Sequence, residues 1–294
     1  MVSVSHKRMF NDVEILTSVN PPRNYKNPDS LNKIAGYIHD ELSRLDCKVK
    51  FQPYQVQGIE YKNVIASFNE GTGDRIIIGA HYDVFGDYPG ADDNASAVAG
   101  LLETARLLNR NNAKLTSHVD FVAYTLEEPP FFDTEFMGSA VHARFLHDNN
   151  IPIKLMICFE MIGYYSDQPN SQGFPLPGLS LMYPDKGNFI AVVGKFSQRK
   201  IVKRVKQLMK KYSEIDVYPV AIPFLDSLAG LSDQKSYWKY NYPAVMINDT
   251  SFFRNPNYHS ETDTIDTLNF EKMAEVVPMA GVTEVDFTAK AGGG

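Results

Sequence analysis

The stretch GAHYDVFGDYPGADDNASAVAG, residues 79 to 100, follows the apolar run Ile76, Ile77, Ile78 and sets His81, Asp83 and Asp93 where a buried strand should end. Other apolar runs are followed by similar side chains. Glu127 and Glu128 come after VDFVAYTL, Glu160 after KLMICF, and Tyr258 with His259 in the loop beyond PAVMIND. Imidazole nitrogens and carboxylate oxygens are the donors that zinc and related divalent ions take. One histidine at a strand end is more often a hydrogen-bonded structural residue, and adjacent glutamates are usually solvated. Brought together, so many carboxylates would be strongly unfavourable without a cation, because like charges at close range do not all stay ionised.

Such a meeting requires the strands to share one sheet and the donors to sit at its carboxyl end, where open α/β sheets bind ligands. Runs rich in Val, Ile, Phe and Tyr predict strands at 48–56, 61–69, 74–81, 118–126, 153–160, 188–194, 216–221 and 243–248. Apolar residues spaced three and four apart predict helices at 4–18, 30–46, 95–110, 137–149, 196–213, 232–240 and 269–289. Strands apolar on both faces and interleaved with helices imply an α/β fold of three layers, α/β/α, around a mixed, mostly parallel sheet. Gly86 and Gly90 would let the loop between His81 and Asp93 turn sharply.

No Ser/Gly linker or internal repeat divides the 294 residues, so one catalytic domain spanning 1–294 is expected. Residues 164–188 are rich in proline and lack periodicity, which suits a long loop lining a cleft, and 290–294 should be a flexible tail. The net charge of -6 offers no basic field for nucleic acid, and the cations of Lys195–Lys211 fall at the spacing of a solvated helix face. No stretch has the length of a membrane span or the continuous apolar core of a signal peptide. Two cysteines are too few for a disulfide framework, and together these features suggest a cytoplasmic protein.

The segments NVIASF, GAHYD, PGADDNAS, LEEPP with MGS, FEMIG, SDQ, YPAVMINDT and YHSETDT run nearly end to end. Together they resemble the M28 zinc aminopeptidases, and EEPPFF followed by MGS resembles a bacterial subgroup with a short insertion after the paired glutamates. The resemblance implies a zinc-exopeptidase fold, two divalent ions with zinc the expected metal, and short peptides as substrate. It makes His81 and Glu160 ligands of one ion, Glu128 and His259 ligands of the other, and Asp93 the bridge between them. Asp83 would accept the free ring N–H of His81 and fix its tautomer. Glu127 would be the general base acting on a metal-bridging hydroxide, and Tyr258 would hydrogen-bond the developing oxyanion. A cis peptide between Asp93 and Asn94 also belongs to the pattern.

Three positions depart from that pattern: Glu160 replaces the usual aspartate, Ala97 a frequent glycine, and Gln234 the common histidine after Ser-Asp. None removes a required donor. Other functions compatible with the same residues are a carboxypeptidase or amidohydrolase, a single-metal acyl transferase of the glutaminyl cyclase type, and a binding protein that has lost catalysis. Asp133 and Glu135, close to the paired glutamates, favour recognition of a substrate amine, whereas Arg254 is the candidate for recognising a carboxylate. Side-chain preference and oligomeric state have no signature in these residues.

Overall fold

Alternate residues of the central strands face opposite sides of the sheet, so Ile78, Phe121 and Ile157 pack into one core while Ile77, Val122 and Met156 pack into the other. The computed structural model describes residues 4–71, 74–110, 117–223 and 225–277. Its strands are β1 (Lys48–Val56), β2 (Ile59–Phe68), β3 (Arg75–His81), β4 (His118–Tyr124), β5 (Leu155–Glu160), β6 (Ile190–Val193), β7 (Val217–Val220) and β8 (Ala244–Asn248). They form one sheet in the order β1-β2-β4-β3-β5-β8-β6-β7. The centre, β4-β3-β5-β8, is parallel, as is β6-β7, while β1-β2, β2-β4 and β8-β6 pair antiparallel. The sheet is mixed with a parallel centre, as the pattern of runs implies.

Helices α1 (His6–Thr17), α2 (Pro28–Ser43), α3 (Ala97–Arg110), α5 (Arg199–Tyr212) and α8 (Phe270–Val276) cover the first face. Helices α4 (Gly138–Asp148), α6 (Asp226–Ala229) and α7 (Gln234–Trp238) cover the second, which completes three layers. Gln57 and Gly58, both with positive φ (53° and 84°), turn β1 directly into β2, the conformation that a two-residue hairpin favours.

Differences from the expected boundaries have local causes. The second helix begins at Pro28 because proline suits a first helical position, where no N–H is needed. The predicted 95–110 helix starts at Ala97, after a wide turn over Ala91–Ser96 in which Asp93 and Asn94 leave helical geometry. Helix α6 was not expected. Of the predicted 269–289 helix, residues 270–276 are helical, and 278–289 lie outside the described residues, as does the 290–294 tail. The 164–188 segment contains one short turn of 3-10 helix, Leu179–Leu181. It is tied down by Gly173 N–H donating to the Phe253 carbonyl at 2.7 Å and by the Tyr183 hydroxyl donating to the Pro219 carbonyl at 3.1 Å.

Candidate metal centre and its cleft

The parallel centre of the sheet brings the carboxyl ends of β3, β4, β5 and β8 side by side. His81 closes β3, Glu160 closes β5, and Glu127 and Glu128 follow β4. Leu126 (φ 58°) and Met161 (φ 43°) flank these acids in the left-handed region, which costs a non-glycine residue roughly 1 kcal/mol or more. Met161 N–H is held there by Asn94 Oδ1 at 2.8 Å.

Two aspartates brace the backbone in parallel fashion. Asp83 accepts the N–H groups of Glu127 and Glu128, both at 3.1 Å, so one carboxylate orients the paired glutamates. Asp263 does the same for Asp92 at 2.9 Å and Asp93 at 3.1 Å. The Asp93–Asn94 peptide is cis, matching the expectation. Buried Arg23 donates to the carbonyls of Leu16, Tyr82, Pro89 and Gly90 and so fastens the loop that links His81 to Asp93.

Asp93 stands between the histidines. Its Oδ1 is 3.5 Å from His81 Nε2, and its Oδ2 is 3.0 Å from His259 Nε2. Glu160 Oε2 lies 3.3 Å from His81 Nε2, and Glu128 Oε2 lies 3.4 Å from His259 Nε2. Two sets able to hold an ion therefore share Asp93: His81, Asp93 and Glu160, and Asp93, Glu128 and His259. Glu127 Oε2 is 3.7 Å from His81 Nε2, and His81, Glu127 and Glu128 form a further set. Asp83 Oδ1 faces His81 Nδ1 at 3.5 Å, so its backbone contacts to the glutamates are the tighter ones.

The His259 ring lies flat between Phe85, 3.9 Å away at 6°, and Tyr258, 3.8 Å away at 16°. That sandwich fixes the plane of the imidazole. The longer side chain at position 160 is steadied by Ser232 Oγ, which donates to Glu160 Oε2 at 2.6 Å, and by Asn94 Nδ2 at 3.3 Å. Gln234, in the place of the family's usual histidine, donates to the Ala229 carbonyl at 2.7 Å.

Both ring nitrogens of His81, His259 Nε2 and Glu128 Oε1 are buried without a hydrogen-bond partner. Buried polar atoms are normally paired, so these fit a group that the polypeptide itself does not supply. The electrostatics agree. Burial, aided by the negative neighbours Glu128 and Glu160, pushes the Glu127 carboxyl well above its ordinary range, and burial beside Asp93 raises Glu128 to about 8. Burial opposes a charged His259, but the nearby Asp93 and Glu128 carboxylates prevail and raise it to about 9. Burial likewise opposes ionised Asp93, and the two histidines overcome it and hold the carboxylate low. A divalent cation beside these carboxylates would reverse the upward shifts by favouring their ionised forms.

The site opens into a cavity of about 260 Å3. Asp93, Glu127, Glu128 and Glu160 lie at one end with His259 and Tyr258, and the remaining walls are largely apolar, including Phe132, Phe174, Phe189, Leu225, Leu228 and Met246. Gln172, Phe174, Leu179 and Tyr183 come from the 164–188 segment. Among the described residues, no lysine or arginine lines it.

Two expectations about substrate polarity need correcting. Asp133 and Glu135 do not line the cavity; Asp133 pairs with Lys235 at 2.7 Å and Glu135 with Arg144 at 3.2 Å. Nearness in sequence to the paired glutamates did not set direction, because Asp133 takes a positive φ of 60° and turns the chain away. Arg254 is also outside the cleft lining. It is buried and donates to Gln172 Oε1 at 3.0 Å and the Phe189 carbonyl at 2.8 Å, stitching the long loop to β6.

A covered α/β sheet whose strand ends gather two histidines and several buried carboxylates has the donor set of a metallohydrolase. The chain belongs to peptidase family M28, which it matches over residues 63–281. It is 44% identical over 281 residues to the uncharacterized protein YfbL of Escherichia coli K12, covering 93% of this chain and 85% of that one. Its fold is similar to the LapA aminopeptidase of Legionella pneumophila, with a TM-score of 0.76 at 20% identity, covering 96% of this chain and 71% of that one. It is also similar to the glutaminyl cyclase of Bacteroides thetaiotaomicron, with a TM-score of 0.73 at 20% identity, covering 98% and 99%. Among the described residues, no helix is long and apolar enough to cross a membrane.

Proposed function

We propose that the chain is an aminopeptidase that works with a pair of divalent ions, zinc foremost, and removes the first residue of short peptides. One arrangement carries this reading: two histidine-carboxylate sets share Asp93 at the acidic end of a cleft whose other walls carry no lysine or arginine among the described residues. His81, Asp93 and Glu160 would hold one ion, and Asp93, Glu128 and His259 the other. Bound ions supply Lewis acidity, polarising the scissile carbonyl and lowering the pKa of water.

Glu127 takes a proton from the attacking water and delivers it to the leaving amine, a task suited to a carboxyl whose pKa is raised by burial. Tyr258, at the same end of the cleft, donates its hydroxyl to the developing oxyanion. Asp83 keeps Glu127 and Glu128 in register through their backbone N–H groups. A free ammonium suits the acidic end, whereas a terminal carboxylate would call for an arginine or lysine in the lining. One sheet carrying the whole site supports a single catalytic unit. The free thiols Cys47 and Cys158 fit a reducing, cytoplasmic setting.

The test is to incubate zinc-loaded protein with free, amino-blocked and carboxyl-blocked short peptides and to read every product by mass. Loss of single residues from free amino termini alone is the expected result. Cleavage that requires a free carboxyl terminus would reverse the polarity. Calorimetric titration with zinc is expected to saturate at two ions per chain, and saturation at one would favour the single-metal acyl transferase.

A further inference from the structure

We propose that the loop after the paired glutamates is a specificity wall, with Phe132 the residue that meets the substrate and Asp133 the positioning residue that latches it. This rests on the aminopeptidase reading. Pro129 and Phe132 line the cleft together with Glu127 and Glu128. Leu225, Leu228 and Leu231 line it from a different part of the chain, the segment leading into α7.

A charged contact joins these two walls. The Asp133 carboxylate meets Lys235 Nζ at 2.7 Å and Lys239 Nζ at 3.5 Å, one lysine within α7 and the other directly after it. The Lys235 ammonium also stands 5.8 Å from the centre of the Phe132 ring. Its stem packs against Gly230, where an added Cβ would lie 3.4 Å from Lys235 Cγ and Cδ. Lys235 thus stands beside the acid, the ring and the segment that leads into α7. The positive φ of Asp133, with its N–H donating to Met137 Sδ at 3.0 Å, directs the carboxylate outward while Phe132 faces the cleft.

A half-exposed ion pair contributes little to global stability. It is nonetheless well placed to set where a loop rests. Releasing it lets Phe132 withdraw, and a bulky first residue then loses an apolar contact that alanine never made. Loss of such a contact changes discrimination by about tenfold.

Asp133→Asn removes the charge while keeping a residue type that tolerates positive φ. In this variant, amide hydrogen exchange over residues 131–137 should quicken, and the leucyl-to-alanyl ratio of kcat/KM should fall about tenfold through the leucyl KM. Phe132→Ala should reproduce the loss of ratio with exchange in α7 unchanged, and high salt should move wild type toward Asp133→Asn but leave that variant unaffected. Unchanged exchange in Asp133→Asn would overturn the latch. Faster exchange with an unaltered ratio, or an unaltered ratio in Phe132→Ala, would overturn the specificity wall. Failure of wild type to cleave either substrate would instead reject the aminopeptidase reading and the wall with it, while the exchange result would still decide the latch.

Discussion

Strands β3 and β4 run parallel, yet their two ends hold buried charge in opposite ways. At the start, Asp120 accepts hydrogen bonds from Ser67 Oγ at 2.5 Å and Arg75 Nη1 at 2.6 Å, and pairs with His118 Nε2 at 2.9 Å. Burial alone would raise this carboxyl, but His118 and Arg75 hold it below its ordinary value. At the other end His81, Glu127 and Glu128 join Asp93, Glu160 and His259, and several of their atoms have no partner. Buried charge alone therefore does not distinguish a candidate site. Imbalance does, because a closed cluster satisfies itself while an open one needs a group from outside the chain.

The largest test of that contrast is at Glu127. Glu127→Gln should lower turnover about 100- to 10,000-fold, the effect of losing a general base, with bound metal unchanged by elemental analysis. An unaltered rate would remove Glu127 from the chemistry. The open end should also gain from its missing partners. Zinc at about 100 times its dissociation constant should add about 2.7 kcal/mol per ion, raising Tm by several degrees in a thermal scan. Asp93→Ala, which takes an oxygen from both sets, should abolish most of that rise.

The closed end should behave in the reverse manner. Asp120→Asn leaves Arg75 facing a neutral partner and should cost about 3 to 5 kcal/mol in denaturant unfolding. Activity per folded molecule should remain that of wild type. Equal loss of activity and stability would mean that the two ends are coupled through the strands.

These regions differ in how much the sequence discloses. Apolar runs and helical spacing reveal the central strands and long helices because each signal is local. His81, Asp93, Glu127, Glu128, Glu160 and His259 are likewise named by short segments, and the topology brings those segments to one end of the sheet. Asp263 and Arg23 are different. Asp263 braces a backbone about 170 residues earlier in the chain, and Arg23 works by donating to carbonyls, so neither has a spacing to recognise. Ser232 and Phe85 carry no such spacing either. Their roles depend on which surfaces meet, and adjacency in sequence misled at Asp133 because a single positive φ redirects the side chain.

A third cluster separates burial from imbalance without any carboxylate among its hydrogen-bonding groups. His142 Nδ1 shares a 2.6 Å hydrogen bond with the Tyr237 hydroxyl, which shares another of 2.6 Å with the Tyr124 hydroxyl. Burial lowers the His142 pKa to about 4, the opposite of His259 among its acids. The folded state thus keeps this ring neutral while the unfolded chain takes up a proton near the ordinary value of about 6.5. Above that pH both states are neutral and His142 has no effect on pH dependence. As pH falls from about 6.5 to 4, the unfolded state binds more protons, and about 3 kcal/mol of stability should be lost through this residue. Unfolding of wild type and His142→Gln across that range isolates the contribution, since other titrating groups largely cancel in the difference. The variant's deficit should shrink as the solution becomes more acidic. A constant deficit would mean that burial does not lower the His142 pKa in the folded protein.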